Sequence, residues 1–380
     1  MRIKPLVLMT AVNIFLCSCA RTNNNSESCT YFGANISVCD DYAFRTDAND
    51  NKLYLWDLNS GEYSIYCSLP DCQHQTVTEN KNTKCCAVAP EENYSCNYAF
   101  IYNDRLYSIF TGKLNEFVVY EADKDGQNRR QVYESDISIC TFDFPVLSDG
   151  KFVFIGSEFD TQSIDTTENL FLCVLDFSDF TLEKKSQLGT TDETYILPQS
   201  MGVINNKIYF EHTENADGNA HTTFESIDIS TNEKEQILEN DGGNLCVWQY
   251  DGGNVIYNIA TDNDTHSAVY SLDINNNEST LLFEMEGYAS SIYKDDTKVF
   301  YMSTADANRN EIRTACVYNL DTKNTSQIEF DNDTYLYICG RTGKKHLIQY
   351  QNSDRNSFGI LDNEDFWNLN FDKANFCFEQ

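Results

Sequence analysis

The sequence predicts an all-β protein: a β-propeller of seven four-stranded blades, with six and eight as the alternatives. Three observations predict it. Two landmarks, an aromatic-rich second strand and an Asp at the end of a third strand, each recur seven times. Apart from a longer first interval they are spaced 41 to 56 residues apart, the period of propeller blades. Helical periodicity is nearly absent, and residues 31–380 run on without a Pro/Gly/Ser-rich linker, with only five Pro in the whole chain.

The clearest unit is residues 199–238. Met201–Ile204 is apolar and is followed by the turn Asn205-Asn206 and by Ile208-Tyr209-Phe210. A polar loop over 215–219 leads to Phe224–Ile229, then Ser230-Thr231-Asn232 and a last strand ending Gln236-Ile237-Leu238. The second-strand landmark stands at Phe44, Tyr107, Val153, Tyr209, Ile256, Phe300 and Leu347. The third-strand Asp stands at Asp57, Asp123, Asp176, Asp228, Asp273, Asp321 and Asp362. Asn and Asp pairs fill the tight turns, where two-residue hairpins need positive φ. One such unit cannot bury both of its faces, so units must stack around an axis. Ring closure has two solutions. Either Tyr31–Val38 is the first strand of the first blade and all blades are in phase, or the tail Asn375–Phe378 pairs with the first blade.

Residues 1–18 have the form of an export signal: basic Arg2 and Lys4, then a short apolar run from Pro5 to Leu16. That run is too short to span a bilayer. The ending Leu16-Cys17-Ser18-Cys19 resembles the bacterial lipoprotein lipobox, which implies that Cys19 is lipidated and becomes the first mature residue. Residues 19–30 are polar and read as a flexible tether. These features predict a cell-envelope protein, extracytoplasmic and anchored to a bacterial membrane by its N-terminal lipid. The mature chain carries 25 basic and 59 acidic residues, a net charge of −34, which excludes nucleic acid as a partner.

The first blade interval is lengthened by the insertion 67–96, which holds Cys67, Cys72, Cys85, Cys86 and Cys96 together with His74. Blade-to-blade connections share a face with the second-to-third-strand loops, so the insertion is expected beside loops 46–51, 160–168, 214–219, 261–265 and 304–310. Three chemistries stay open for it. Disulfides suit an oxidising compartment, with Cys67 to Cys96 as the candidates. Zinc suits Cys67, Cys72, His74 and Cys85 or Cys86, four N/S ligands. A redox pair is the third. In each case the cluster staples a loop. Cys140, Cys173, Cys246, Cys316, Cys339 and Cys377 lie in apolar strand contexts and read as small buried hydrophobes.

The segment Cys67-Ser68-Leu69-Pro70-Asp71-Cys72-Gln73-His74, on a lipidated propeller, resembles the clostridial-type β-propeller lipoproteins with a Cys-x-x-Pro-x-Cys-x-His segment. That family is in turn loosely similar to TolB-like and tryptophan–aspartate-repeat propellers. The resemblance implies a binding platform and carries no catalytic residue over.

Function is therefore expected in binding or scaffolding of a protein, peptide or glycan on the insertion-bearing face, with Tyr94 and Tyr98 as candidate contacts. The alternative is a propeller-type carbohydrate-active hydrolase or lyase that uses loop carboxylates near the central channel. None of the five His falls in a triad pattern, and His212, His221 and His266 read as solvated loop residues. Glu121–Gly126 imitates half of a calcium loop, but Val132 stands where the bidentate Glu belongs, which leaves weak calcium binding and a hairpin turn.

Overall fold

The computed structural model describes residues 29–33, 36–39, 41–47, 50–80, 84–112, 116–140, 145–159, 168–190, 194–195, 201–216, 219–241, 245–261, 266–304, 313–330, 334–352 and 356–379. Residues 1–18, Cys19 and most of the tether lie outside them, as do loops 160–167, 262–265 and 305–312.

Seven antiparallel sheets form seven blades. In each, the first and second strands are joined by a two-residue turn, as in Tyr102↔Arg105, Ile204↔Lys207 and Asp295↔Lys298. Asn103, Asp104, Asn205 and Asn206 all have positive φ, the geometry whose twist matches the flanking strands. The third-strand Asp has a different task. Its carboxylate accepts the backbone N–H groups that open the next turn: Asp57 from Asn59 and Ser60, Asp228 from Ser230 and Thr231, Asp273 from Asn275. In the sixth blade the assignment to Asp321 is corrected. The third strand ends at Asn319, whose side-chain oxygen accepts from Asp321 and Thr322, because Asn serves this turn as well as Asp does.

Each seam between neighbouring blades holds one apolar cluster, seven among the described residues. The seam between the second and third blades is the most aromatic, with Phe100, Tyr107, Phe117, Phe152 and Phe154 buried in it. The ring closes in phase. The tail Asn375–Glu379 is the fourth strand of the last blade, paired with Asn356–Asp362, and not a partner of the first blade. Seven-to-one contact is made by side chains: Ile36, Val38 and Trp56 pack on Leu347, Phe358 and Ile360, and Thr342 donates to Asp41 at 3.0 Å. A short helix, α1 (Asn363–Trp367), inserts Phe366 and Trp367 between the last two blades.

The first strand of the first blade is Ile36–Cys39, shorter than expected, because the chain before it makes a strand of its own. That strand, β1 (Cys29–Gly33), pairs antiparallel along the inner edge of β2 (Ile36–Cys39). It thus begins inside the segment read as tether. It also packs against the inner strands of the third and seventh blades, so it lies within the central channel. Phe32 is buried there, edge-on to Tyr98, Phe100 and Phe152. Cys39 is disulfide-bonded, and its register partner is Cys29.

Candidate metal centre at the seam of the first two blades

The insertion fills a gap that the first blade leaves. Its fourth strand, Tyr63–Ile65, is only three residues long and cannot cover the neighbouring blade. Cys85–Ala89 takes that place, buried among Phe44, Leu53, Ala99, Ile101, Phe110 and Val118. The backbone joins in: Leu53 donates to Ala87 at 2.7 Å, and Tyr66 donates to Leu53 at 3.0 Å. Arg129 of the second blade donates to Val88 at 2.6 Å.

This path revises the expected placement. At one end Asn51 donates to the Tyr94 carbonyl beside the second-to-third-strand loops. At the other, Tyr66 donates to Lys124 and Gln127 donates to Ser68, at a third-to-fourth-strand turn on the opposite face. The insertion therefore runs down the seam from one face to the other. Gly126 in that turn has a φ of +81°, and a Cβ there would stand on Cys86 Sγ. Gly126→Ala is expected to cost about 1–3 kcal/mol in urea unfolding, since strain and overpacking act together.

At the turn-side end, Cys67, Cys72, His74 and Cys85 bring their ligand atoms within 4.8 Å of one another. His74 Nδ1 lies 3.4 Å from Cys85 Sγ. A tetrahedral zinc with bonds of about 2.3 Å to sulfur and about 2.0 Å to nitrogen sets neighbouring ligands roughly 3.6 Å apart, so the set needs only a small contraction. Local backbone builds it: Asp71 and His74 have positive φ, and the His74 N–H donates to Cys72 Sγ at 3.4 Å. All four residues are half-buried or buried, and none of the three cysteines is disulfide-bonded.

The electrostatics favour a thiolate. Hydrogen bonds from Cys85 and then Cys86 hold the Cys67 thiol far below its ordinary range. The same contacts, with burial second, push Cys85 and Cys86 up. Arg129 is the cation facing this group; burial lowers its pKa, and Cys86 and Cys85 oppose that. Three thiolates and an imidazole around a divalent metal carry one net negative charge, which Arg129 offsets. A Cys3His cluster of this kind can hold a soft metal.

Other expectations fall differently. Disulfides within the insertion are not formed: Cys67, Cys72, Cys85, Cys86 and Cys96 are all outside disulfide bonds. Cys96 is buried, with its thiol pushed up to about 12 by burial, and lies in the apolar seam. Cys173, Cys246, Cys316 and Cys339 are buried as expected, while Cys140 and Cys377 are half-buried. Tyr98 is corrected as a surface contact. It is 5% exposed because its strand turns it inward against Phe32. Tyr94 is half-buried and donates to Glu116 at 3.3 Å. His212 is corrected too. It sits in the strand Lys207–Ala216, buried between Glu214 and Glu225, whereas His266 is exposed. The calcium-like segment is the turn of the second blade. Its Asp123 carboxylate is taken by Arg105 and Asn128, and Asp125 accepts from Gln127.

Sequence reasoning passed over Cys29 and Cys39. Their places, five residues either side of Ala34, are the symmetric spacing of a hairpin, and that was the available signal. It also passed over Glu211 and His346, two buried titratable groups that no motif marks.

By sequence, the chain matches no protein-family model and no curated protein. By structure it is similar to puromycin hydrolase at 10% identity, over 89% of this chain and 52% of that one, with a TM-score of 0.50. It thus spans about half of that chain. TolB from Acinetobacter baumannii is matched at 14% identity over 82% and 73%, TM-score 0.40. Porphyromonas gingivalis dipeptidyl peptidase 4 is matched at 9% over 86% and 57%, TM-score 0.49. At such identities the likeness extends to the propeller fold alone. Among the described residues, no helix is long and apolar enough to cross a membrane.

Proposed function

We propose that this chain is a lipid-anchored, extracytoplasmic binding platform of the bacterial cell envelope, whose first seam is stapled by one structural zinc ion. The observation that carries it is the set of four N/S ligand atoms within 4.8 Å on an insertion that completes the seam. With four protein ligands the site is closed, which suits a structural metal better than a catalytic one. Cys67, Cys72, His74 and Cys85 would hold the ion, and Arg129 and the Cys86 thiol would support their charge. The disulfide at Cys39 agrees with an oxidising compartment. The anchor at Cys19 rests on the lipobox resemblance. The carbohydrate-active alternative would need a pair of inward carboxylates near the central channel.

The test is the metal content of the full chain, extracted from membranes without chelator or reductant. One equivalent of zinc is expected, and Cys67→Ser, Cys72→Ser, His74→Ala and Cys85→Ser should each lose it. Cys316→Ser, in a distant seam, should keep it. Cobalt in place of zinc should give the intense visible bands of a tetrahedral thiolate site. Metal-free protein from zinc-supplemented growth, or mass losses of paired cysteines in the insertion, would overturn the zinc reading. For the platform itself, saturable retention of a peptide or glycan from an array, without its breakdown, is expected; release of cleaved product would favour the hydrolase or lyase.

A further inference from the structure

The N-terminal strand enters the disc from one of its two faces. Cys29 pairs in register with Cys39, and Cys39 abuts the first hairpin turn through Cys39↔Tyr42. Cys29 is therefore level with the face made of first-to-second and third-to-fourth-strand turns. Strand alternation puts the second-to-third-strand loops and the blade-to-blade connections on the other face. The exit point is also fixed in place. β1 lies in the channel, Phe32 is buried among Tyr98, Phe100 and Phe152, and Cys39 is covalently held.

We infer that the tight-turn face, including the turn at Lys124–Gln127 beside the cysteine cluster, is the face presented to the lipid surface, and that the long-loop face points away from it. This rests on the anchor at Cys19. Ten residues of chain join Cys19 to Cys29. Even fully extended, that many residues reach at most about 34 Å. A strand of a blade such as His266–Asp273 is eight residues, or roughly 25 Å from face to face. Turned over, the disc would need the tether to cover the thickness and then the four strands from axis to rim, about 4.8 Å each, which exceeds its reach and would place the body between the lipid and its own attachment point. The loops free to vary in a propeller then face outward, where a soluble or surface partner can reach them.

The experiment uses the full chain with its own leader in phosphatidylcholine vesicles that carry a nitroxide on the lipid head group. A fluorescent amino acid is encoded either at Asn276, exposed in a third-to-fourth-strand turn, or at His266, exposed at the opposite end of the same blade. Quenching several-fold stronger at position 276 is expected. Equal quenching, or stronger quenching at 266, overturns the inference. Intact mass reports the acyl groups separately. If they are absent, the anchor reading fails by itself, and a Cys19→Ser chain tethered through an N-terminal hexahistidine to nickel-chelating vesicles puts the same question to the same two positions.

Discussion

Glu211→Gln is expected to abolish the loss of stability that the protein undergoes between pH 6.5 and 8, an effect on the order of 2 kcal/mol. Glu211 is 1% exposed; one carboxyl oxygen accepts from the Val247 N–H at 2.6 Å, and the other has no partner among the described residues. Burial raises its pKa from 4.5 to about 8. A carboxyl raised in the fold holds its proton there after the unfolded chain has lost it. Its stabilisation is complete below pH 4.5 and is lost as pH rises to 8. His346 has the opposite sign. Its ring lies 4.0 Å from that of Phe366, neither ring nitrogen has a partner among the described residues, and burial lowers its pKa from 6.5 to about 3. The unfolded chain then gains a proton that the fold refuses, so stability is complete above pH 6.5 and is lost as pH falls to 3. The two slopes cancel between 4.5 and 6.5. The profile should be a plateau with a fall on each side: Glu211→Gln removes the alkaline fall, and His346→Phe removes the acid one. Urea midpoints measured from pH 3.5 to 8.5 check this. A Glu211→Gln profile that tracks the parent above pH 6.5 would mean the carboxylate is charged and compensated.

Phe32→Ala should be the most damaging single truncation, at about 3–5 kcal/mol, comparable with a large part of a domain's net stability. The side chain is 1% exposed and touches rings from two other blades, with centroids at 5.6, 5.9 and 5.7 Å. Its loss leaves a cavity at the axis, where blades held by their neighbours cannot collapse to fill it. Hydrogen exchange should show β1 opening before the blades do. A variant that unfolds at the parent's urea midpoint, with β1 still protected, would show that the strand is an ornament on an independently stable ring.

The architecture was legible because its signals are local. Asn205-Asn206 and its counterparts demand positive φ, and the Asp at a third-strand end caps the next turn within three residues. Such pairings are short-range, so residues 199–238 declared a complete blade without any partner in view. Asp321 misled because Asn319 caps the turn with the same atom type, and chemistry of that kind is degenerate to a reader of sequence. Tyr98 and His212 misled because only the packing of neighbouring blades decides which side of a strand is interior.

The cysteine insertion lies between these cases. Cys67, Cys72 and His74 announce a ligand set by spacing, and residue types alone made zinc a candidate. Choosing Cys85 over Cys86 took the fold. The two are adjacent, and the strand-like path of Cys85–Ala89 turns one thiol toward His74 and the other toward the Tyr66 carbonyl at 2.9 Å. The sequence by itself determined the repeat and the seven blades, since each blade is written within a few residues. Tertiary structure decided what depends on contacts between residues far apart in the chain: the strand that enters the channel, the path of the insertion down the first seam, and the burial of Glu211 and His346 in protein rather than water.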